Sequence, residues 1–401
     1  MKKTVVLLTL AICLVSPSFA QLRMNGWGRA VWVPVFVGQD GEPRTVVQSS
    51  YGDAPDLEFM FSASSPNIGV DVGVMVTDGL FNQAANAKVW WKPNNYLKLH
   101  IGMGRVPTLR GQVAGSTGGY AYARGRLAQL TAFNGVNEPI VQIGDGDGIF
   151  SRINLMNWGA IAEITPAPGL IVLGAVAPNM TQAGLLAEDV YKGLHVAVGY
   201  EIKDVGLVRA GYIGGGKNGQ EAGNAGANWD FSWDKHLEAA FALKSIPNLL
   251  LDFGVKYSLE EKPGNLSQPG FALLNPLYVA LGAVYKGVPK LELGFAIDGH
   301  FLGTAEKVLS WTELVTSAPQ IAFNIYPSYD LGIFTLGADI TYGMQFGDVK
   351  GKNDKKMFGF GSYAQKQYGH GNIRGGVYAN APMDEGEKWG FSVPVWITYS
   401  F

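Results

Sequence analysis

The segment Trp389 to Phe401 alternates without a break. Phe391, Val393, Val395, Ile397, Tyr399 and Phe401 share one face, while Ser392, Pro394, Trp396, Thr398 and Ser400 share the other. Period-two alternation of this kind specifies an extended strand with one apolar face. A water-soluble protein seldom leaves such a strand, tipped with aromatics, as its last element, because an exposed edge invites pairing with other chains. A β-barrel closed in lipid has a use for it: the final strand pairs with the first and the apolar face meets acyl chains.

The other end of the chain agrees. Met1-Lys2-Lys3 is followed by an apolar run from Thr4 to Val15 and by Ser18-Phe19-Ala20. This is the basic, apolar, small-x-small order of a secretory signal, so residues 1–20 are expected to be cleaved and residues 21–401 to form a single barrel domain. The run is too short to cross a bilayer as a helix. Cys13, the only cysteine, falls within it. The mature chain therefore has no thiol, which excludes disulfides and thiolate chemistry and suits an oxidising compartment. The bulky Ile12 in Leu10-Ala11-Ile12-Cys13 argues against lipidation.

Charged residues make up only 16% of the chain, against about 25% in soluble domains. Without Lys2 and Lys3 the basic count falls from 31 to 29, against 33 acidic residues, which is no nucleic-acid footprint. After the signal no apolar run reaches the roughly 20 residues of a membrane helix. A membrane protein with this composition crosses with strands.

Further strands can be read directly. Along Lys290 to Phe301, Leu291, Leu293, Phe295, Ile297 and Phe301 oppose Lys290, Glu292, Gly294, Ala296, Asp298 and His300. Residues 96–103, 236–244, 249–258 and 275–287 repeat the pattern. A soluble sandwich alternates too, with its polar face outside. Three features favour the barrel instead: a polar face rich in Gly and Ala, aromatics at strand ends, and the closing strand.

Short turn signals occur at Ser65-Pro66-Asn67, Lys92 to Asn95, Thr165 to Gly169, Lys203-Asp204, Pro247-Asn248, Val288-Pro289, Pro327 to Asp330 and Gly369 to Gly371. Longer connections alternate with them, at 38–55, 106–148, 178–191, 214–234, 259–274, 303–318, 345–355 and 381–388, with a short exception at 77–80. Short periplasmic turns and longer external loops mark an outer-membrane barrel. Eight short turns give nine hairpins and hence 18 strands. Sixteen is the alternative, because 56–64 is a weak strand and 356–368 an ambiguous one.

With the cleavable signal, the hairpin Val89-Trp90-Trp91-Lys92-Pro93-Asn94-Asn95-Tyr96-Leu97-Lys98-Leu99 and the closing Val393-x-Val395-x-Ile397-x-Tyr399-x-Phe401, the chain resembles a Gram-negative or spirochaete-type outer-membrane porin. The resemblance is one of architecture and carries no motif for a particular solute. It implies a passive channel for small hydrophilic solutes and ions. It also implies that the barrel assembly machinery reads Tyr399 and Phe401. Trimers are common in that family, but no interface stands out here, so monomer and trimer both stay open.

A barrel of this size leaves an aqueous channel unless something plugs it, and no plug-like domain precedes Trp27. The long connection 106–148 carries Arg110, Arg124, Arg126, Glu138, Asp145 and Asp147. In the resembled family an external loop folds into the lumen. Here it would set carboxylates against wall cations such as Lys98, Arg105, Arg152 or Arg374 and create a transverse field. The alternative is a solvated external surface. Strand parity directs Lys88, Lys98, His100, His195, Arg209, Glu238, Lys244, Asp252, Lys256, Lys290, Glu292, Asp298, His300, Asp339 and Arg374 to the lumen. A Lys or Arg facing lipid near the midplane would cost about 2–4 kcal/mol.

Other chemistry finds little support. Asp145-Gly146-Asp147-Gly148 resembles part of a calcium loop but lacks the downstream bidentate Glu. The dispersed histidines argue against a metal site. Asp298 and His300 share a face, yet no partnered Ser suggests a hydrolase, and no cofactor is expected. Two rival readings are an occluded structural or adhesin barrel and a sugar-specific channel. The second would show a stripe of lumen aromatics, for which Trp90, Tyr378 and Trp396 have the parity. Trp27, Trp32, Trp90, Trp91, Tyr96, Tyr257, Tyr285, Tyr326, Tyr342, Tyr399 and Phe401 are read as interfacial girdles.

Overall fold

The computed structural model describes residues 21–37, 41–48, 56–77, 80–106, 109, 153–176, 194–213, 236–259, 277–301, 320–345, 356–383 and 388–401. The strands run in order β1 Gln21–Val37, β2 Pro43–Gln48, β3 Asp56–Ser64, β4 Ile68–Thr77, β5 Leu80–Asn94 and β6 Leu97–Val106. Then come β7 Ile153–Ala167, β8 Leu170–Val176, β9 Leu194–Ile202, β10 Gly206–Ile213, β11 His236–Leu243 and β12 Leu249–Ser258. The last are β13 Leu277–Val288, β14 Leu291–Phe301, β15 Gln320–Asp330, β16 Thr335–Gln345, β17 Lys356–Tyr368, β18 Gly371–Pro382 and β19 Gly390–Ser400.

From β3 onward each strand pairs antiparallel with its successor, and β19 returns to pair with β1, so the sheet has no edge. β2 and β3 lie end to end on one flank of β1, against Val31–Val37 and Gln21–Arg29 respectively. Together they occupy one strand position. The barrel therefore has 18 positions, and the weak segment 56–64 and the ambiguous 356–368 are both strands, β3 and β17. The connection expected over 38–55 is in part strand, because β2 occupies its middle.

Apolar side chains face outward. Phe253, Leu293 and Phe360 are each 42% exposed, and Ile325 is 48% exposed. Asp252, Ala296, Asn324 and Asp339, which alternate with such residues, are buried on the inner side. Leu291 and Phe295 are only half-buried. The greasy face is thus the outer one, as a hydrocarbon solvent requires.

The closing seam runs from Trp27↔Ser400 to Val37↔Phe391. Beyond it, Phe401 and Gly26 exchange two backbone hydrogen bonds, N–H to O=C in each direction, both 2.9 Å. The Phe401 ring lies over Gly26, 5.7 Å from the Phe59 ring and 6.4 Å from Tyr399.

Several expected turns shift by a few residues. Strands run through the prolines at Pro93 and Pro166 before turning at 95–96 and 168–169. These prolines fall at register breaks, between Trp91 and Asn94 and between Ile164 and Ala167. A bulge tolerates a missing N–H, so proline there need not end a strand. Likewise Pro327 pairs with Leu293 inside β15, and the turn follows at 331–334. Lys290, read as a lumen residue, sits in the β13–β14 turn with φ of 66° and is exposed. It is corrected to a turn residue.

Candidate functional site: the barrel interior

Three groups of side chains line the inner wall. On β4–β7, Lys88 Nζ lies 3.8 Å from Asp71 Oδ2, Lys98 Nζ sits 4.5 Å from the centre of the Trp90 ring, and His100 Nε2 is 3.7 Å from Glu163 Oε2. Register explains the cluster: Asp71↔Lys88, Trp90↔His100 and Lys98↔Glu163 are cross-strand partners.

A second group lies on β9–β13. Arg209 and Asp252 are fully withdrawn from solvent, with Nη2 3.8 Å from Oδ1. Beside them Leu109 joins Ile161, Leu173, Ala175, Ala197, Ala240 and Ala280 in a buried apolar patch. Leu109 belongs to the long β6–β7 connection, and its carbonyl accepts a 3.0 Å hydrogen bond from Arg209 Nη1. This residue of the connection is therefore inside the barrel.

The third group lies on β16–β19 and β1. Arg374 stacks 4.0 Å above the Tyr363 ring and donates from Nε and Nη2 to Gln365 Oε1, at 2.8 and 2.6 Å. Tyr378 and Trp396 meet edge to face at 5.2 Å and are buried with Val33 and Phe36. β10 is the ninth position and β19 the eighteenth, so the second and third groups face each other across the bore.

Lys98, His100, Glu238, Asp252, Lys256, Glu292 and Arg374 all stand on inward-facing strand positions. Glu238 pairs in register with Lys256. Glu292 is drawn to the rim by a 2.8 Å ion pair with Lys286, both of them substantially exposed. A similar rim pair joins Lys244 and Glu201 at 3.1 Å. Exposed pairs of this kind contribute about 0–1 kcal/mol. Arg105, Asp298 and His300 lie on strands, but their side chains are outside the described residues. Residues 1–20, Arg110, Arg124, Arg126, Asp145, Asp147 and Arg152, with the calcium-like Asp145 to Gly148, are outside them altogether. Among the described residues no cluster of His, Cys, Asp and Glu could hold a metal ion.

The girdles need correction. Trp32, Trp91, Tyr96, Tyr257, Tyr285, Tyr399 and Phe401 are exposed on the outer surface, joined by Tyr200, Tyr329 and Tyr368. Trp27, Trp90 and Tyr326 point inward instead. Trp27 donates to Glu58 at 2.6 Å, and the other two rings lie over Gly69 and Gly294 on neighbouring strands. Position near a strand end does not choose a face; alternation along the strand does.

No known protein family and no curated protein matches the sequence. Solved structures resemble its fold. OccAB4 of Acinetobacter baumannii overlays 96% of this chain and 99% of its own, at 9% identity and a TM-score of 0.52. OpdL of Pseudomonas aeruginosa overlays 95% and 98%, at 9% identity and 0.51. An anion-selective porin from Comamonas acidovorans overlays 95% and 100%, at 12% identity and 0.45. The chain shares the closed-barrel fold of OccAB4 and OpdL. A barrel of 18 positions encloses more space than the side chains of its own wall fill.

Proposed function

We infer that the chain is an outer-membrane porin, a passive channel for small hydrophilic solutes and ions, delivered by residues 1–20 as a secretory signal. The observation that carries the reading is a closed barrel of 18 positions, apolar outside and lined with charges within. Solutes cross unchanged, and the reading needs neither catalysis nor a bound group. The β6–β7 connection narrows the lumen, a reading supported by the inward docking of Leu109. Tyr399 and Phe401, on the closing segment, are what the barrel assembly machinery would read. A sugar-specific channel is less well supported, since Tyr378 and Trp396 are 2% and 3% exposed and offer no open stacking surface.

Reconstitution of residues 21–401 into planar bilayers tests this. Stepwise conductance is expected, and neutralising Asp145 and Asp147 to Asn should shift selectivity toward anions. Absence of steps would favour an occluded structural or adhesin barrel. Unchanged selectivity would remove the two aspartates from the constriction.

A further inference from the structure

Arg209 carries a guanidinium with no solvent exposure, near the middle of β10. It faces two ways. Nη2 is turned toward Asp252 of β12, and Nη1 reaches 100 residues back in sequence to the Leu109 carbonyl. The Leu109 side chain lies in a hollow over Gly199, the register partner of Arg209 on β9. A β-carbon at Gly199 would press on Leu109 Cδ2 and stand 3.6 Å from its Cγ. Ala175, Ala197 and Ala240 keep the surrounding floor shallow.

The path to this hollow is short. β6 ends at Val106, and the three residues to Leu109 span at most about 11 Å. Along the wall β6 and β9 are three strand spacings apart, about 14 Å. Leu109 therefore reaches the hollow from close to the end of β6, its side chain covering the last part of the distance. Among the described residues, Leu109 is where the β6–β7 connection is fastened to the wall.

We propose that Arg209 is the positioning residue for the constriction. With its charge balanced by Asp252, it clamps the Leu109 carbonyl by a charge-assisted bond, and Gly199 provides the seat. Together they fix where the connection crosses the bore and so the width left to solutes. The proposal rests on the reading of the chain as a channel narrowed by that connection. Lys at 209 would keep the charge but lose the fork that serves two partners at once.

The mature chain contains no cysteine, so a disulfide can report on the clamp. Leu109→Cys removes the Cδ2 that would obstruct a side chain at 199, and with Gly199→Cys it should give an oxidised crosslink, seen as a mobility shift in the folded barrel. Arg209→Met alone removes the cation beside the buried Asp252 and risks misfolding. Arg209→Met with Asp252→Leu removes both charges, and Gly199→Leu displaces Leu109 while touching neither. Both are expected to fold, to raise single-channel conductance about twofold and to increase open-channel noise. The charge-free pair should also cut the crosslinking yield severalfold, and oxidation should return its conductance to the value of the crosslinked chain with Arg209 intact. Efficient crosslinking with conductance indifferent to Arg209 would overturn the clamp and leave the narrowed channel standing. No crosslink in a folded barrel would overturn the placement of the connection itself. Crosslinking that depends on Arg209 in a barrel that never conducts would uphold the clamp and dismiss the channel.

Discussion

On the inner wall, Trp90 lies over Gly69, Tyr326 over Gly294, Tyr363 over Gly337 and Tyr378 over Gly361, each ring covering its cross-strand partner. A glycine has no side chain to hold such a ring away, so the aromatic lies against the wall and restores the packing that glycine lacks. Gly337→Leu should tip Tyr363 into the bore and carry Arg374 with it. Overpacking of this kind costs about 1–3 kcal/mol. Lower conductance, together with a lower urea midpoint for folded barrel on gels, is the expected result; unchanged conductance would mean that the ring has another place to go. The direction in which a strand residue points was legible in the sequence, because alternation is local. Which glycine meets which ring was not, since it depends on register between strands.

At the scale of the element, β19 and Phe401 close the sheet. Deleting Phe401 removes two 2.9 Å backbone bonds to Gly26, each contributing about 0.5–1.5 kcal/mol, along with the ring packed on Phe59. Phe401→Ala retains the bonds and loses only the ring. The deletion should lower the urea midpoint in lipid more than the alanine does, and equal midpoints would refute a backbone role for the seam. The segments 56–64 and 356–368, weak and ambiguous in the sequence, are strands over the same bounds, Asp56–Ser64 and Lys356–Tyr368. Pairing with neighbours on both sides supplies what their own alternation lacks. Prolines misled, at Pro327 above all. A proline excludes one hydrogen bond, not a strand, and whether that bond is needed depends on neighbours that sequence alone does not identify.

For the whole molecule the claim is an inverted one, with lipid against the aliphatic face and water within. Adjacent tryptophans test it. Trp91 is 50% exposed on the outer surface, whereas Trp90 turns inward beneath Lys98. In variants retaining one of the two as sole tryptophan, brominated lipid should quench Trp91 severalfold more than Trp90; equal quenching would mean the faces are wrongly assigned. Barrel class and strand number were legible because they accumulate from many local signals. The fastening of Leu109 to Arg209 left none, being a single contact between distant segments. Ring closure joins Trp27 to Ser400. Nothing cylindrical can exist while the polypeptide is still being made or is in transit. It has to travel pliant until its two remotest stretches reach the same place, and its biogenesis turns on the moment they clasp.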